Sequence, residues 1–224
     1  MIHYHCADIN PAGKLFDLAG RNLLVSHAYP RHIRMAHEIG QTVMLDNGAF
    51  SVWRSGTAAD WEGYYEWCDE WLNCPTTWAI LPDVIDGGAD AQDALIEDWP
   101  HGDRGAPVWH MDEDIDRLSR LVHEWPRVCI GSTGQYATVG SDEWHTRMTI
   151  AFNMLGRMRR MPWVHGLRMQ GVGHLYPFGS VDSADIARNQ NRPQNTIPKM
   201  AERWDRIQPR IGWTQLPTQQ GLIA

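Results

Sequence analysis

The sequence predicts an α/β fold: a single compact (β/α)8 TIM-like barrel in which some helices are short or missing. Short apolar runs alternate with longer amphipathic stretches, as in repeated βα units. Most of the apolar runs stop at a polar residue or a glycine, as parallel strands do at the active-site face of a barrel. The 224 residues suit one domain, 1–224, but fall short of the roughly 250 typical of eight βα units. An open doubly wound sheet is therefore the alternative.

Six short apolar runs that end in Gly, Pro, Asp or His are predicted as strands. They are 22–28, 42–46, 77–82, 106–110, 127–131 and 163–168. Weaker candidates lie near 177–182 and 210–214. Together these segments supply the eight strands that a barrel needs.

Three amphipathic stretches are predicted as helices because apolar residues recur on one helical face, which we expect to face the core. The three stripes are Trp61, Tyr64, Cys68 and Trp71; Ile115, Leu118, Leu121, Val122 and Trp125; and Trp144, Met148, Ala151, Leu155 and Met158. The first stripe lies in 57–72, where Thr57 precedes Asp60 by three residues in a pattern that resembles a capping box. The Pro-, Asn- and Gln-rich stretch 189–198 is expected to be a loop or an extended arm.

The charge of the chain is unevenly distributed. Residues 1–150 contain 10 Lys and Arg against 23 Asp and Glu, a net charge of −13. Residues 151–224 contain 10 against 4, a net charge of +6, so the total of −7 conceals a basic C-terminal third. This third can contact phosphates while the acidic remainder faces water, although an ordinary uneven surface explains the pattern equally well.

The remaining composition indicates a cytoplasmic protein that does not associate with membranes. No apolar run approaches the roughly 18 residues of a membrane span, and the N-terminus lacks the features of a signal peptide. The four cysteines, Cys6, Cys68, Cys74 and Cys129, form no CxxC pair. We therefore expect reduced, mostly buried thiols rather than disulfides or a four-thiolate zinc site.

Polar residues or glycine stand where the apolar runs stop. They are Asp46, Asp83, His110, Gly131, Gln170 and Asp182. In a parallel barrel these strand ends converge on one face, where such enzymes build their active sites. A single Asp or Gly after a strand carries little weight, since both are common turn or capping residues. Six in succession predict one pocket.

Five segments then carry a specific resemblance. They are MLDNGAFSVW (44–53), LPDVIDG (81–87), CIGST (129–133), MQGVG (169–173) and GSVDSADIARN (179–189). In order and spacing they resemble the DSGGF-type segment, the second aspartate segment, the purine-contacting glycine turn, the MGVG-like turn and the catalytic aspartate segment of the tRNA-guanine transglycosylase (queuine tRNA-ribosyltransferase) superfamily. The short chain and the PFGSVDS form are most similar to the small phage and bacterial relatives that place a 7-deazaguanine in DNA.

The resemblance implies an enzyme, a pentosyltransferase that exchanges guanine in nucleic acid for a free 7-deazaguanine base such as preQ0 or preQ1, without a cofactor. It implies Asp182 as nucleophile, Asp46 as general acid/base and Asp83 as the residue that binds the guanine edge. Carboxylates suit this chemistry, because displacing a purine from C1′ passes through an oxocarbenium-like state that a carboxylate can trap covalently. Asp185 is the alternative nucleophile; otherwise it is a first-turn helix residue.

Two sets of binding residues complete this expectation. The expected base contacts are Asp83, Phe50, His110, Gly131, Ser132, Gln170 and Gly171. The expected phosphate contacts are Arg157, Arg159, Arg160, Arg188, Arg192 and Lys199. The first three arginines could instead solvate a helix end. The CxCxxC plus His zinc site of the tRNA enzymes is absent, so no metal is expected and DNA is favoured over tRNA, and His110 stands where the family usually has Gln.

Two other functions fit parts of the sequence. His3 and His5 could form the HxH pair of a metal-dependent barrel hydrolase, completed by His110 and Asp182, because alternate strand residues point the same way. A nucleic-acid-binding module without catalysis could instead use tryptophans, whose aromatic faces stack on bases, together with the arginines of the basic third. The tryptophans in question are Trp53, Trp163, Trp204 and Trp213.

Overall fold

The computed structural model describes residues 1–209 and 212–217. All of its strands are parallel and belong to one sheet that curls into a nearly closed barrel, with helices on the outside. The predicted α/β barrel is therefore confirmed. None of the described helices is both long and apolar enough to cross a lipid bilayer.

The strands follow one another around the barrel in chain order. They are β1 (Ile2–Cys6), β2 (Asn22–Ser26), β3 (Thr42–Asp46), β4 (Thr77–Ile80), β5 (Gly105–Ala106), β6 (Val108–His110), β7 (Arg127–Gly131), β8 (Trp163–Gly166) and β9 (Ser180–Ser183). Strand β1 pairs with both β2 and β9, so the last strand of the chain lies beside the first.

Within the described residues, eight α-helices connect or follow these strands. They are α1 (Ile33–Ile39), α2 (Ala49–Ser55), α3 (Trp61–Trp71), α4 (Gly88–Glu97), α5 (Ile115–Glu124), α6 (Asp142–Leu155), α7 (Asp185–Asn189) and α8 (Ile197–Asp205). Short 3-10 helices span Ala12–Leu18, Pro30–His32, Gly102–Arg104, Gly134–Tyr136 and Gly173–Leu175. The β1–β2 and β8–β9 connections contain only 3-10 helix, which explains how so short a chain completes a barrel.

The barrel closes through one extended segment that a proline interrupts. Strand β5 pairs with β4, and β6 pairs with β7, so the two ends of the sheet meet in residues 105–110. Pro107, between them, has no N–H to donate to a neighbouring strand. Its carbonyl nevertheless accepts a hydrogen bond of 2.8 Å from the backbone N–H of Cys129. With β5 and β6 counted as one strand, the described residues contain eight strands, as in a (β/α)8 barrel.

The observed strands agree with the predicted ones except at the two ends of the chain. All six strong candidates contain a strand, and the weaker candidate 177–182 overlaps β9. Residues 212–214 are not in a strand, and 210–211 lie outside the described residues. Strand β1 is missing from the predicted set because His3 and His5 interrupt the apolar run of Ile2, Tyr4 and Cys6. The predicted loop 189–198 is shorter than expected, since α8 begins at Ile197.

The inward-facing side chains fill the barrel beneath its carboxyl end. They are Tyr4, Leu24, Met44, Trp78, Ile80, Ala106, Val108 and Cys129. The hydroxyl of Tyr4 is hydrogen-bonded inside this core, accepting from Trp78 Nε1 at 2.8 Å and from Thr42 Oγ1 at 3.1 Å. Because the polar groups of the core are paired, it forms a firm base for the strand ends above it.

The three predicted helical stripes lie against the outside of the barrel wall. Tyr64, Cys68, Leu121 and Trp144 are among their fully buried members. Met158 is only partly buried and follows the end of α6, so the third stripe is one residue shorter than predicted. The stripes therefore serve as core, as their periodicity indicates.

The predicted start of the first of these helices, α3, is wrong. Asp60, rather than Thr57, is the N-cap, and its Oδ1 accepts a 2.9 Å hydrogen bond from the backbone N–H of Gly63. The hydroxyl of Thr57 lies instead 2.8 Å from the hydroxyl of Ser55, outside the helix. The apparent capping box fails because the three residues after Thr57 are not helical.

Asp60→Ala should lower the free energy of unfolding by about 1 kcal/mol, because it removes the acceptor for an otherwise unpaired N–H at the start of α3. Thr57→Ala is the matched control and should change it by less than about 0.5 kcal/mol. Urea unfolding followed by circular dichroism measures both. A larger loss from Thr57→Ala would mean that the helix begins at the earlier residue.

Candidate active site

A cavity of 530 Å³ opens at the carboxyl ends of the strands. Its walls come from successive strand ends around the barrel, because parallel strands all finish on this face. Seven of the residues predicted for substrate binding or catalysis line it: Asp46, Phe50, Asp83, His110, Gly131, Ser132 and Asp182. The structure thus brings together side chains that are up to 136 positions apart in the sequence, from Asp46 to Asp182.

Two of the predicted base contacts do not reach this cavity. The side chain of Gln170 is buried against the outer side of the wall, where Nε2 lies 3.4 Å from Nδ1 of His3. Gly171 follows it and is exposed outside the cavity. The turn after β8 instead directs Leu167 and Arg168 into the cavity. The structure therefore does not place Gln170 and Gly171 among the residues that line the cavity.

Asp182 is held firmly at the base of the cavity, where it is only 7% exposed. Its Oδ1 accepts a 2.7 Å hydrogen bond from the backbone N–H of Arg168 and lies 3.2 Å from Nε2 of His165. His165 is fully buried, and its Nδ1 lies 2.8 Å from Oγ of Ser180. Within the described residues no hydrogen bond reaches Oδ2 of Asp182. One carboxylate oxygen is thus fixed while the other is available to a ligand.

Arg168 adopts an unusual backbone conformation to make this contact. Its φ of 58° lies in the left-handed region of backbone conformation, which residues other than glycine rarely adopt. This conformation points the N–H of Arg168 at Asp182, so the local strain is offset by a hydrogen bond to a charged acceptor. The guanidinium group turns into the cavity and stacks 3.9 Å above the ring centroid of Phe50.

Asp83 is fixed by donors on both of its oxygens. Oδ1 accepts a 2.7 Å hydrogen bond from Nδ2 of Asn47, and Oδ2 lies 3.0 Å from Nε2 of His110. The side-chain oxygen of Asn47 in turn accepts from the backbone N–H of Ala49 at the start of α2. Each carboxylate oxygen has a second lone pair, so Asp83 can still accept two further N–H groups from a ligand.

Asp46 differs electrostatically from the other two carboxylates. Its pKa is raised to about 6, chiefly by removal from bulk water and to a lesser extent by the nearby charges of Asp182 and Asp83. Hydrogen bonds from Ser26 and from the backbone N–H of Gly48 oppose this shift. An aspartate with a pKa near 6 can both give up and accept a proton near neutral pH.

The alternative nucleophile, Asp185, lies outside the cavity. Oδ1 accepts a 2.7 Å hydrogen bond from Nδ2 of Asn189, and Oδ2 accepts from Nε1 of Trp204 and from Arg203 at 2.9 and 3.1 Å. These bonds connect α7 to α8. Both oxygens of Asp185 are therefore used in packing.

The six expected phosphate contacts are all exposed but occupy different ends of the barrel. Arg157, Arg159 and Arg160 follow α6 and precede β8, which places them at the amino ends of the strands, opposite the cavity. Arg188 and Arg192 lie in the segment after β9, on the cavity side. The basic C-terminal third is therefore not one surface, and its first three arginines cannot contact nucleotides that flank a base in this cavity.

The two histidines of the HxH pattern point out of the barrel, because they alternate with the inward-facing Tyr4. Nε2 of His5 lies 3.0 Å from Asp205, and Nε2 of His3 lies 2.8 Å from the carbonyl of Ile207. They bind the segment around the end of α8, on the opposite side of the wall from His110. Within 1–209 and 212–217, no group of three or more His, Cys, Asp or Glu side chains is arranged to hold a metal ion.

The four tryptophans considered for a binding module do not form one surface either. Trp53 lines the cavity, whereas Trp163 starts β8 at the other end of the barrel. Nε1 of Trp204 is bonded to Asp185, and that of Trp213 donates to Asn153 at 3.0 Å. Only Trp53 among them is placed to contact a ligand in the cavity.

Three residues that hold or line the site, Asn47, His165 and Arg168, were not predicted from the sequence. Asn47 and His165 could have been found, since Asn47 directly follows Asp46 and His165 shares the inward face of β8. Nothing in the sequence indicates the role of Arg168, which depends on a left-handed backbone conformation at a residue other than glycine.

The chain was compared with protein-family models, with curated proteins and with solved structures, and no match was found. The site is a barrel pocket that contains one carboxyl group of raised pKa and two firmly held carboxylates.

Asp46→Asn should stabilise the protein above pH 6. The folded state raises the pKa of Asp46 from 3.8 to about 6, so the ionised carboxylate destabilises the fold and stability is lost as pH rises through this range. At 1.36 kcal/mol per pKa unit the gain at pH 7.5 is roughly 2–3 kcal/mol. It should vanish below about pH 4, where the carboxyl group is protonated in both states.

Urea unfolding at the two pH values measures this gain. Asp17→Asn, at an exposed carboxylate, is the control and should have little effect at either pH. If Asp46→Asn were destabilising to the same extent at both pH values, the carboxylate would be well accommodated and its pKa would not be raised.

Proposed function

We propose that this protein is a transglycosylase that exchanges a guanine base in nucleic acid for a free 7-deazaguanine base through a covalent glycosyl intermediate on Asp182. The observation that carries the proposal is the contrast between two carboxyl groups of one cavity. Asp46 has a pKa raised to about 6, as a proton donor needs, while Asp182 is held by hydrogen bonds on one oxygen only. Such a pair supports nucleophilic and acid/base catalysis by separate groups.

In the first half-reaction, the carboxylate of Asp182 attacks C1′ of the target nucleotide as the bond from C1′ to N9 of guanine breaks. The electron pair of that bond goes to the departing base, which takes the proton of Asp46. The products are a glycosyl ester of Asp182, neutral guanine and ionised Asp46. His165 and the N–H of Arg168 keep the attacking carboxylate oriented and leave one oxygen available.

In the second half-reaction, the incoming base returns the sugar to its original configuration. Ionised Asp46 accepts the N9 proton of the 7-deazaguanine, whose nitrogen then attacks C1′ and displaces Asp182. Two successive inversions give overall retention, which is the outcome expected of a covalent carboxylate intermediate. Neither half-reaction involves oxidation or reduction, so the exchange needs no redox cofactor.

Asp83 supports guanine as the base that is exchanged. Its two oxygens can accept the parallel N–H groups that guanine presents at N1 and at the exocyclic amine, whereas adenine lacks this pair of donors. Asn47 and His110 hold the carboxylate in place for this contact. At Gly131, an added Cβ would lie 3.2 Å from the ring of His110, so glycine leaves both the ring and a base room to approach.

DNA is favoured over tRNA as the nucleic acid, with preQ0 or preQ1 as examples of the incoming base. The support is the resemblance of the PFGSVDS form to the small DNA-modifying relatives. The deciding experiment incubates the purified protein with labelled preQ0 or preQ1 and either DNA or tRNA, followed by mass spectrometry of the nucleosides. Label in neither nucleic acid would reject the proposal.

Asp182→Ala should abolish base exchange and the covalent intermediate. Incubation of unmodified protein with guanine-containing DNA, in the absence of an incoming base, should yield a denaturant-resistant adduct on gel electrophoresis. Asp182→Ala should yield none, since no other carboxylate occupies that position. Asp185→Ala is the control and should keep the adduct. The reverse pattern would make Asp185 the nucleophile.

Guanine release in a single turnover should depend on the protonation of Asp46. Below about pH 6 the rate should be constant, and above it should fall about tenfold per pH unit as the proton donor is lost. Asp46→Asn should be slower by roughly 10²–10⁴-fold and should lose this pH dependence. A rate that rises with pH through 6 in the unmodified protein would show that Asp46 does not donate the proton.

A further inference from the structure

The charges of the cavity are poorly matched to a polyanion. Its lining includes four carboxylates, Asp46, Asp83, Asp86 and Asp182, whereas Arg168 is the only Lys or Arg among the described lining residues. A nucleic acid strand can therefore present a neutral base to the carboxylates, but its phosphates must stay away from them. Arg168 is the one positively charged Lys or Arg side chain of the described lining that a phosphate can contact.

Arg168 is also free to bind such a group. Its side chain is exposed to the cavity and forms no ion pair with any residue in the described part of the chain. Its guanidinium rests instead on the face of Phe50. An arginine with no carboxylate partner keeps its full set of donors for a phosphate, which it can bind through two parallel N–H groups.

Trp53 is a second residue of the cavity that can contact a ligand beside Arg168. Its indole is 49% exposed at the cavity, which is unusual for so large an apolar side chain. Nε1 donates a 2.5 Å hydrogen bond to Asp86, and the ring lies 5.8 Å from that of Phe50. The indole is thus fixed in orientation while half of its surface remains open, as in a platform on which a base stacks.

We propose that Arg168 and Trp53 bind the nucleotide next to the target, Arg168 its phosphate and Trp53 its base, and that the DNA is unpaired at this point. This rests on the proposed function, since it takes the cavity as the site of the target base. A base that stacks on Trp53 cannot also be stacked within a duplex. The carboxylate of Asp182 is only 7% exposed at the base of the cavity. The target nucleotide must therefore also leave any base stack for its C1′ to reach Asp182.

The test measures binding of a fluorescein-labelled single-stranded DNA of about 15 nucleotides with one central guanine, by anisotropy at several salt concentrations. Trp53→Ala should weaken binding about tenfold, as expected for the loss of one base–aromatic stack. Arg168→Gly should reduce the slope of log affinity against log salt by about 0.7, the value for one phosphate contact on a single strand. Glycine suits this position because it accepts the φ of 58°. Arg168→Lys should retain the slope.

The controls lie at the opposite end of the barrel. Trp163→Ala removes a tryptophan of similar exposure, 39%, and a triple Ala variant removes Arg157, Arg159 and Arg160. Both should bind the single strand as the unmodified protein does. A fully paired duplex of the same sequence should bind at least about tenfold more weakly than the single strand.

Three results would overturn the inference: unchanged binding by both Trp53→Ala and Arg168→Gly, a reduced salt slope in the triple variant alone, or duplex binding as tight as that of the single strand. Failure of the proposed function looks different. If no base is exchanged but binding depends on Trp53 and Arg168, the inferred binding surface is correct and the proposed reaction is wrong. If bases are exchanged but binding does not depend on Trp53 and Arg168, the proposed reaction is correct and the inferred binding surface is wrong.

Discussion

Closure of the barrel at residues 105–110 is the constraint on which the site depends. One extended segment pairs with β4 through its first half and with β7 through its second, and Pro107 separates the two ladders. This arrangement brings the end of β6 beside the end of β4, so that His110 lies 3.0 Å from Asp83. If the sheet were open here, these two strand ends would lie at opposite edges and Asp83 would lose one of its two supports.

The cavity brings several aspartates together, and their surroundings differ. Asp83 and Asp182 receive hydrogen bonds from neighbouring donors, which hold each carboxylate in a fixed orientation. Burial and the two neighbouring charges raise the pKa of Asp46. The fixed positions of Asp83 and Asp182 and the raised pKa of Asp46 suit the three groups to separate chemical roles.

The outer surface of the barrel is organised by the same topology. The loops that run from a strand to the next helix lie on the cavity side, and the loops that run from a helix to the next strand lie on the opposite side. Trp53 and Arg188 lie on the cavity side, and Trp163 and Arg157 on the opposite side. A basic or aromatic stretch of sequence thus contributes to ligand binding only where the chain direction places it, and composition alone does not indicate which side that is.

The sequence by itself determined the barrel class, six of the strand positions and the presence of Asp46, Asp83, His110 and Asp182 at one pocket. These follow from local pattern, because an apolar run marks a strand and the chain direction of parallel strands brings all their ends to one face. It did not determine β1, whose histidines face outward toward Asp205 and Ile207, nor the position of Gln170 outside the cavity. Only the tertiary structure decided these, together with the role of Arg168, because they depend on which face of a strand or turn meets a distant part of the chain. Contacts between residues some 200 positions apart, such as that of His5 with Asp205, leave no local pattern in the sequence.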